Sequence, residues 1–164
     1  MAPSRPGSAL ALDVGRRRIG LAGCDPLGIT VTPLTPLHRG LFPDDLACLA
    51  RLVRQRGITA LVVGLPLDEH QRPTAQARHC RRYGLRLARA LAAEGLPLPL
   101  AWVNEFASTR EAAERHGLHG DRSGRLDSAA AALLLEQWLR EGPVPDPVPP
   151  ATIGHGAPLA PDPS

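Results

Sequence analysis

The sequence predicts an α/β protein, a mixed five-stranded sheet with helices on both faces. Two observations predict this class: the first half opens with apolar runs separated by short turns, and the rest alternates apolar runs with segments of helical period. Apolar residues make up 43% and charged residues 21% of the chain, the balance of a globular protein. With 164 residues the chain has room for one domain with a substantial core.

The first three strands are expected to form an antiparallel meander. The apolar runs ALALDV (Ala9–Val14) and IGLAGC (Ile19–Cys24) are separated only by Gly15 and three arginines, which predicts a hairpin. A turn over residues 25–28 then leads into ITVTPLTPL (residues 29–37). Because proline cannot donate a ladder hydrogen bond, the two prolines of this run suit only an edge strand.

Helices and strands alternate through the rest of the chain. Their ends are marked by glycines, a proline and one Ser-x-x-Glu capping box. In order they are a helix over Pro43–Arg56, a strand over Thr59–Leu65, a helix over Thr74–Ala93, a strand over Leu98–Val103, a short helix from Ser108 to about Gly117, and a helix over Leu126–Arg140.

The domain is expected to cover residues 9–141. Residues 1–8 carry no apolar period and predict a flexible tail. Residues 142–164 are rich in proline and have too little apolar surface to bury, which predicts a disordered tail.

Composition excludes several classes of protein. No apolar run reaches the roughly 18 residues of a membrane span, and the N-terminus lacks the apolar stretch of a secretory signal, so we expect no membrane association and a cytoplasmic location. The three cysteines form no CxxC pair and predict free thiols rather than zinc or a disulfide framework. The six histidines show no ligand spacing and are expected on the surface or in loops.

The positive charge consists of arginine alone, 19 residues without a lysine, with a net charge of +3. Arginine pairs with phosphate through two parallel hydrogen bonds, which favours a nucleic-acid partner. A compositional bias of the source organism explains the same observation, so basicity alone does not decide the function.

Three carboxylates stand where such a fold can use them. Asp13 ends an apolar strand, Glu105 follows another, and Asp127 opens the last helix. If the three converge, their oxygens make a site for Mg²⁺ or Mn²⁺. Each also has a structural explanation: a turn cap for Asp13, a solvated loop for Glu105, and the ordinary preference of helix N-termini for acids at Asp127.

Four blocks of sequence together resemble the YqgF family, bacterial proteins described as pre-16S rRNA nucleases or Holliday-junction-resolvase-like proteins. Each block stands in the family's order and spacing, and together they cover nearly all of the predicted domain. They are LALDVGRRRIGLAGCDPLGI (Leu10–Ile29), VVGLPL (Val62–Leu67), NEFASTREA (Asn104–Ala112) and LDSAAAALLLEQWL (Leu126–Leu139).

The resemblance implies a ribonuclease-H-like fold and a metal-dependent nuclease, a hydrolase acting on ester bonds. It carries catalytic and metal-binding roles onto Asp13, Glu105 and Asp127. The expected substrate is structured RNA, with pre-16S rRNA in ribosomal precursor particles as the leading case, and branched DNA as the alternative. Contacts to substrate phosphates are expected from Arg16, Arg17, Arg18, Arg122 and Arg125.

The third block departs from the family pattern. It reads Asn104-Glu105-Phe106 where the family usually has Asp-Glu-Arg. The change removes one acid and one arginine, and it favours a second hypothesis, a non-catalytic RNA-binding or ribosome-assembly module on the same fold. A Holliday junction resolvase would use the same carboxylates but needs two symmetry-related sites, so both a monomer and a homodimer remain open.

Overall fold

The computed structural model describes residues 7–105 and 125–148. This part of the chain contains five strands and three helices. They are β1 (Ser8–Val14), β2 (Arg18–Cys24), β3 (Val31–His38), α1 (Phe42–Arg56), β4 (Ile58–Pro66), α2 (Ala75–Ala93), β5 (Leu100–Glu105) and α3 (Arg125–Glu141). The short helix predicted from Ser108 lies outside the described residues.

The five strands form one mixed sheet in the order β3-β2-β1-β4-β5. Strands β1, β2 and β3 pair antiparallel, whereas β4 runs parallel to β1 and β5 parallel to β4. This confirms the predicted meander followed by parallel strands. It also places the proline-containing β3 at the sheet edge, where a missing ladder donor costs nothing.

One face of the sheet packs against α1 and α2. Because side chains alternate along a strand, Leu10 and Leu12 of β1 and Val63 of β4 point to this face. They join Leu87 and Leu91 of α2 in a core of large aliphatic side chains, all less than 1% exposed. Leucine and valine thus fill this core in place of the aromatic residues that the chain largely lacks.

The opposite face packs against α3 and is lined by smaller residues. Ala9 and Ala11 of β1 belong to the same core cluster as Leu134 of α3, which is completely buried. Small strand residues let this helix approach the sheet closely. Its last turns are held by Trp138, whose Nε1–H donates to the Pro143 carbonyl over 2.7 Å.

The beginning of the proline-rich segment departs from the expected disordered tail. Asp146 exchanges two backbone hydrogen bonds with Leu100 of β5, of 2.9 and 3.0 Å, and Val148 packs against the aliphatic core. The edge of β5 offers backbone groups that need partners, and this segment satisfies two of them. Residues 149–164 lie outside the described part, so their disorder stays a prediction.

None of the helices described in residues 7–105 and 125–148 has the length and apolar content needed to cross a membrane.

Candidate functional site

Two buried carboxylates lie at one edge and on one face of the sheet. Asp13 is the penultimate residue of β1, and Glu105 is the last residue of β5 rather than the first loop residue expected after it. Alternation puts Asp13 on the same face as Ala11, and Glu105 on the same face as Val103, which is the face covered by α3. Their residues are only 6% and 5% exposed.

Gly64 of β4, the strand between them, makes room for the Glu105 carboxylate. A Cβ placed on Gly64 would lie 3.3 Å from Glu105 Oε2 and 2.9 Å from Leu134 Cδ2. The Glu105 side chain therefore reaches from β5 over β4, the strand next to β1. This role of Gly64 was not predicted from the sequence, although a glycine inside an apolar strand is a known sign of close approach.

The negative charges of both carboxylates act on the Cys80 thiol of α2. Its pKa is raised to about 12, first by burial and then by the negative charges of Asp13 and Glu105. The thiol donates to the Val14 carbonyl over 3.4 Å, directly after Asp13. The Cys80 thiol is therefore close enough to both carboxylates for their charges to act on it.

The first turn of α3 is fixed beside Asp13. Ser128, 2% exposed, accepts a 3.3 Å hydrogen bond from the backbone N–H of Leu21. Leu21 pairs with Leu12 of β1, next to Asp13 in the register. This holds the backbone of Asp127 near the same edge, but the Asp127 side chain lies outside the described part.

These observations fit a metal site in part. Within residues 7–105 and 125–148, no three His, Cys, Asp or Glu side chains form a metal-binding group. Asp13 and Glu105 nevertheless supply oxygen donors of the type that Mg²⁺ and Mn²⁺ prefer, and the absence of a side chain at Gly64 lets the Glu105 carboxylate lie against β4. The three-carboxylate set stays a prediction because it requires the Asp127 side chain.

The β1–β2 turn presents arginines next to Asp13. Arg16 and Arg17 are exposed, and Arg18 begins β2. Gly15 allows the turn, since a Cβ there would lie 2.6 Å from the Arg18 carbonyl oxygen. Of the other arginines expected to contact substrate, Arg122 lies outside the described residues, and only the backbone of Arg125 is described, at the start of α3.

Arg39, which follows β3, stabilises this turn by a hydrogen bond to its backbone. Its Nη1 donates to the Gly15 carbonyl over 2.8 Å and lies 2.9 Å from Nε2 of His79. Its guanidinium also stacks over the Tyr83 ring, with Cζ 4.6 Å from the centroid. His79 was expected on the surface or in a loop, but its side chain is half-buried in α2. Nothing local in the sequence links Arg39 to His79.

The contact with Arg39 requires neutral His79. A guanidinium only donates, so Nε2 of His79 must accept. The pKa of His79 is lowered by burial and then by the charges of Arg39, Arg82 and Arg16. A depressed folded-state pKa stabilises the fold above the unfolded value of about 6.5, and this contribution is lost as the pH falls through the folded-state pKa.

We therefore expect the stability of the folded protein to fall as the pH is lowered, because His79 then becomes protonated. The difference in melting temperature between wild type and His79→Gln should shrink as the pH is lowered from about 7.5 to 5, measured by circular dichroism. The same change at His70, in the exposed loop after β4, is the control. A difference that stays constant over this range would contradict a neutral His79.

Comparison with known proteins gives consistent matches. The RuvX family, described as Holliday junction resolvase, matches residues 7–141. A protein of Parasynechococcus marenigrum (strain WH8102) is 67% identical over 155 residues, which cover 94% of this chain and 96% of that protein. One of Prochlorococcus marinus (strain MIT 9313) is 64% identical, covering 87% and 86%. Both carry the name "Putative pre-16S rRNA nuclease".

Solved structures match the fold. The Thermus thermophilus RuvC chain in complex with a Holliday junction substrate aligns with a TM-score of 0.52 at 13% identity, covering 86% of this chain and 99% of that one. RuvC in a second structure aligns with a TM-score of 0.50. The predicted ribonuclease-H-like fold is confirmed.

Proposed function

The chain belongs to the RuvX (YqgF) family, and from that premise we propose that it is a metal-dependent nuclease that processes pre-16S ribosomal RNA. The observation that carries the proposal is the pair of carboxylates, Asp13 and Glu105, buried on one face at one sheet edge. Burying two acids is costly unless a cation or another donor compensates them. Their oxygens are of the type that Mg²⁺ and Mn²⁺ prefer, so a catalytic metal site would use both acids.

Asp13, Glu105 and Asp127 would hold Mg²⁺ or Mn²⁺. When bound, such an ion activates a water for attack on a phosphodiester and stabilises the leaving oxygen. The chain's own contribution is to keep the donors in place: Gly64 leaves room for the Glu105 carboxylate, and Ser128 fixes the start of α3.

Arginines would position the substrate backbone. Arg16 and Arg17 are exposed at the turn directly after the Asp13 strand, where a phosphate approaching the carboxylates would meet them. Arg18, Arg122 and Arg125 complete the proposed contacts. Phosphate contacts of this kind bind structured nucleic acid through charge and shape, without reading its sequence.

Ribosomal RNA is proposed as the substrate because relatives 67% and 64% identical to this chain are named for that activity. A second candidate, cleavage of four-way DNA junctions, is favoured by the description of the matching family. The carboxylates serve both reactions equally. A stable homodimer in sedimentation would favour junction cleavage, since it needs two symmetry-related sites.

The proposal is tested with purified protein on precursor 16S rRNA and on a four-way DNA junction, each with Mg²⁺, with Mn²⁺ and with EDTA. We expect either metal to support cleavage of the RNA and EDTA to abolish it, with the junction left intact. Cleavage of the junction alone would support the second candidate. Tight RNA binding without cleavage in any condition would overturn the nuclease and support a non-catalytic binding module.

A further inference from the structure

A cavity of about 390 Å³ opens at the same sheet edge, on the opposite face. Its wall is apolar and comes from Leu65 and Leu67 at the end of β4 and Ala77 in the first turns of α2. Clefts that take a small organic ligand are typically about 300–1,000 Å³ and mostly apolar. The cavity is therefore large enough for one nucleotide-sized group.

The polar side chains of this cavity suit an anionic ligand. Arg78 and Arg81 of α2 and Asn104 of β5 line it, and the described lining residues include no carboxylate. Arg81 is held in place by Trp102, with its Cζ 5.4 Å from the ring centroid. A guanidinium fixed on an aromatic ring presents a flat, charged surface on which a base can stack or to which a phosphate can pair.

The cavity and the carboxylate site lie at the same sheet edge, on opposite faces. Asn104 precedes Glu105, and successive strand residues point to opposite faces, so one lines the cavity while the other lies on the α3 face. The backbone N–H of Leu67, in the cavity wall, donates to the Glu105 carbonyl over 3.1 Å. A nucleic-acid strand that rounds this sheet edge would pass from one to the other.

We propose that this cavity binds one unpaired nucleotide of the substrate strand, adjacent to the phosphodiester held at the carboxylates. The inference rests on the proposed nuclease function and adds a requirement to it: the strand must be unpaired at that nucleotide, because a base in a duplex cannot enter a cleft. Asn104 favours this role, since an acid at the same position would repel the phosphate.

The test measures binding by fluorescence anisotropy in EDTA, so that the readout does not depend on cleavage. The probes are a labelled duplex with a single-stranded extension and the same duplex made blunt, each in RNA and in DNA. Arg81→Ala and Asn104→Asp should weaken binding of the extended duplex by roughly tenfold, the size expected for losing one stacked, charged contact, and change the blunt duplex little.

Two control variants distinguish binding in this cavity from the non-specific effect of surface charge on nucleic-acid affinity. Arg89→Ala removes an exposed arginine about two turns further along α2, and Gln55→Glu adds an acid at an exposed position of α1. Each should affect the two duplexes equally and weakly. Equal losses for extended and blunt duplexes, or equal effects of Arg81→Ala and Arg89→Ala, would overturn the proposal. RNA and DNA behaving alike would show that the cavity recognises the nucleotide without its 2′-hydroxyl.

Failure of this proposal and failure of the nuclease function give different results. If wild type cleaves its substrate but the cavity variants bind the extended duplex like wild type, the cavity assignment is wrong and the nuclease stands. If the variants lose the extended duplex selectively but wild type cleaves nothing with Mg²⁺, the cavity stands as a nucleic-acid site and the nuclease is wrong.

Discussion

Replacing Asp13 with asparagine is expected to lower the rate of metal-dependent cleavage by more than about 100-fold. Loss of an outer partner of a metal ligand already costs about 10- to 100-fold, so loss of a ligand's charge should cost more. Asparagine has nearly the same shape as aspartate and keeps an oxygen acceptor in the buried site. The fold should therefore persist, with cleavage followed on labelled precursor RNA and folding by thermal melting.

Asp45 provides a matched control for this substitution. It is another buried acid, 4% exposed, and its Oδ1 accepts a 3.0 Å hydrogen bond from the Gly40 backbone in the segment before α1. Asp45→Asn keeps that acceptor and should leave cleavage near the wild-type rate. If Asp13→Asn retained most of its activity while folding normally, Asp13 would not be a metal ligand.

Replacing Gly64 with alanine is expected to reduce both stability and cleavage. The added Cβ would lie 2.9 Å from Leu134 Cδ2, and because Leu134 is completely buried it has little space to move. Overpacking of this kind costs about 1–3 kcal/mol of the free energy of unfolding, measurable by urea titration. The Cβ would also press on Glu105 Oε2, at 3.3 Å, in a site that tolerates shifts of only about 0.5 Å.

Gly40→Ala is the control, because a Cβ at Gly40 meets no atom within 4 Å. Its stability and cleavage rate should match those of wild type. If Gly64→Ala were equally harmless, the close approach of the Glu105 carboxylate to β4 would not be needed for the site.

Much of the fold could be predicted because its signals are local. The apolar run of β1 and the helical period of α1 are each contained in a few consecutive residues, and their predicted ends agree with the structure within one residue. The prolines of β3 predicted its edge position for the same reason. The end of β5 was misplaced by two residues, since the apolar run stops at Val103 while pairing with β4 continues to Glu105.

The candidate site was predictable as a set of residues but not as an arrangement. Asp13 and Glu105 could be chosen from their positions at the ends of apolar strands. That they share a face depends on the order β1-β4-β5 and on the register, which bring together residues more than ninety positions apart. The role of Asp127 as a ligand stays a prediction from sequence, with only its helix start placed.

By itself, then, the sequence determined the strands and helices, the family, and Asp13 as the acid at the end of a buried strand. Only the tertiary structure decided that Gly64 makes room for Glu105, that Arg39 bonds both the turn after Asp13 and His79, and that residues up to Val148 close the edge of β5. The physical reason is the range of each interaction. Hydrophobic period and capping act between neighbours in the chain, whereas contacts between side chains depend on which strands and helices the fold places side by side.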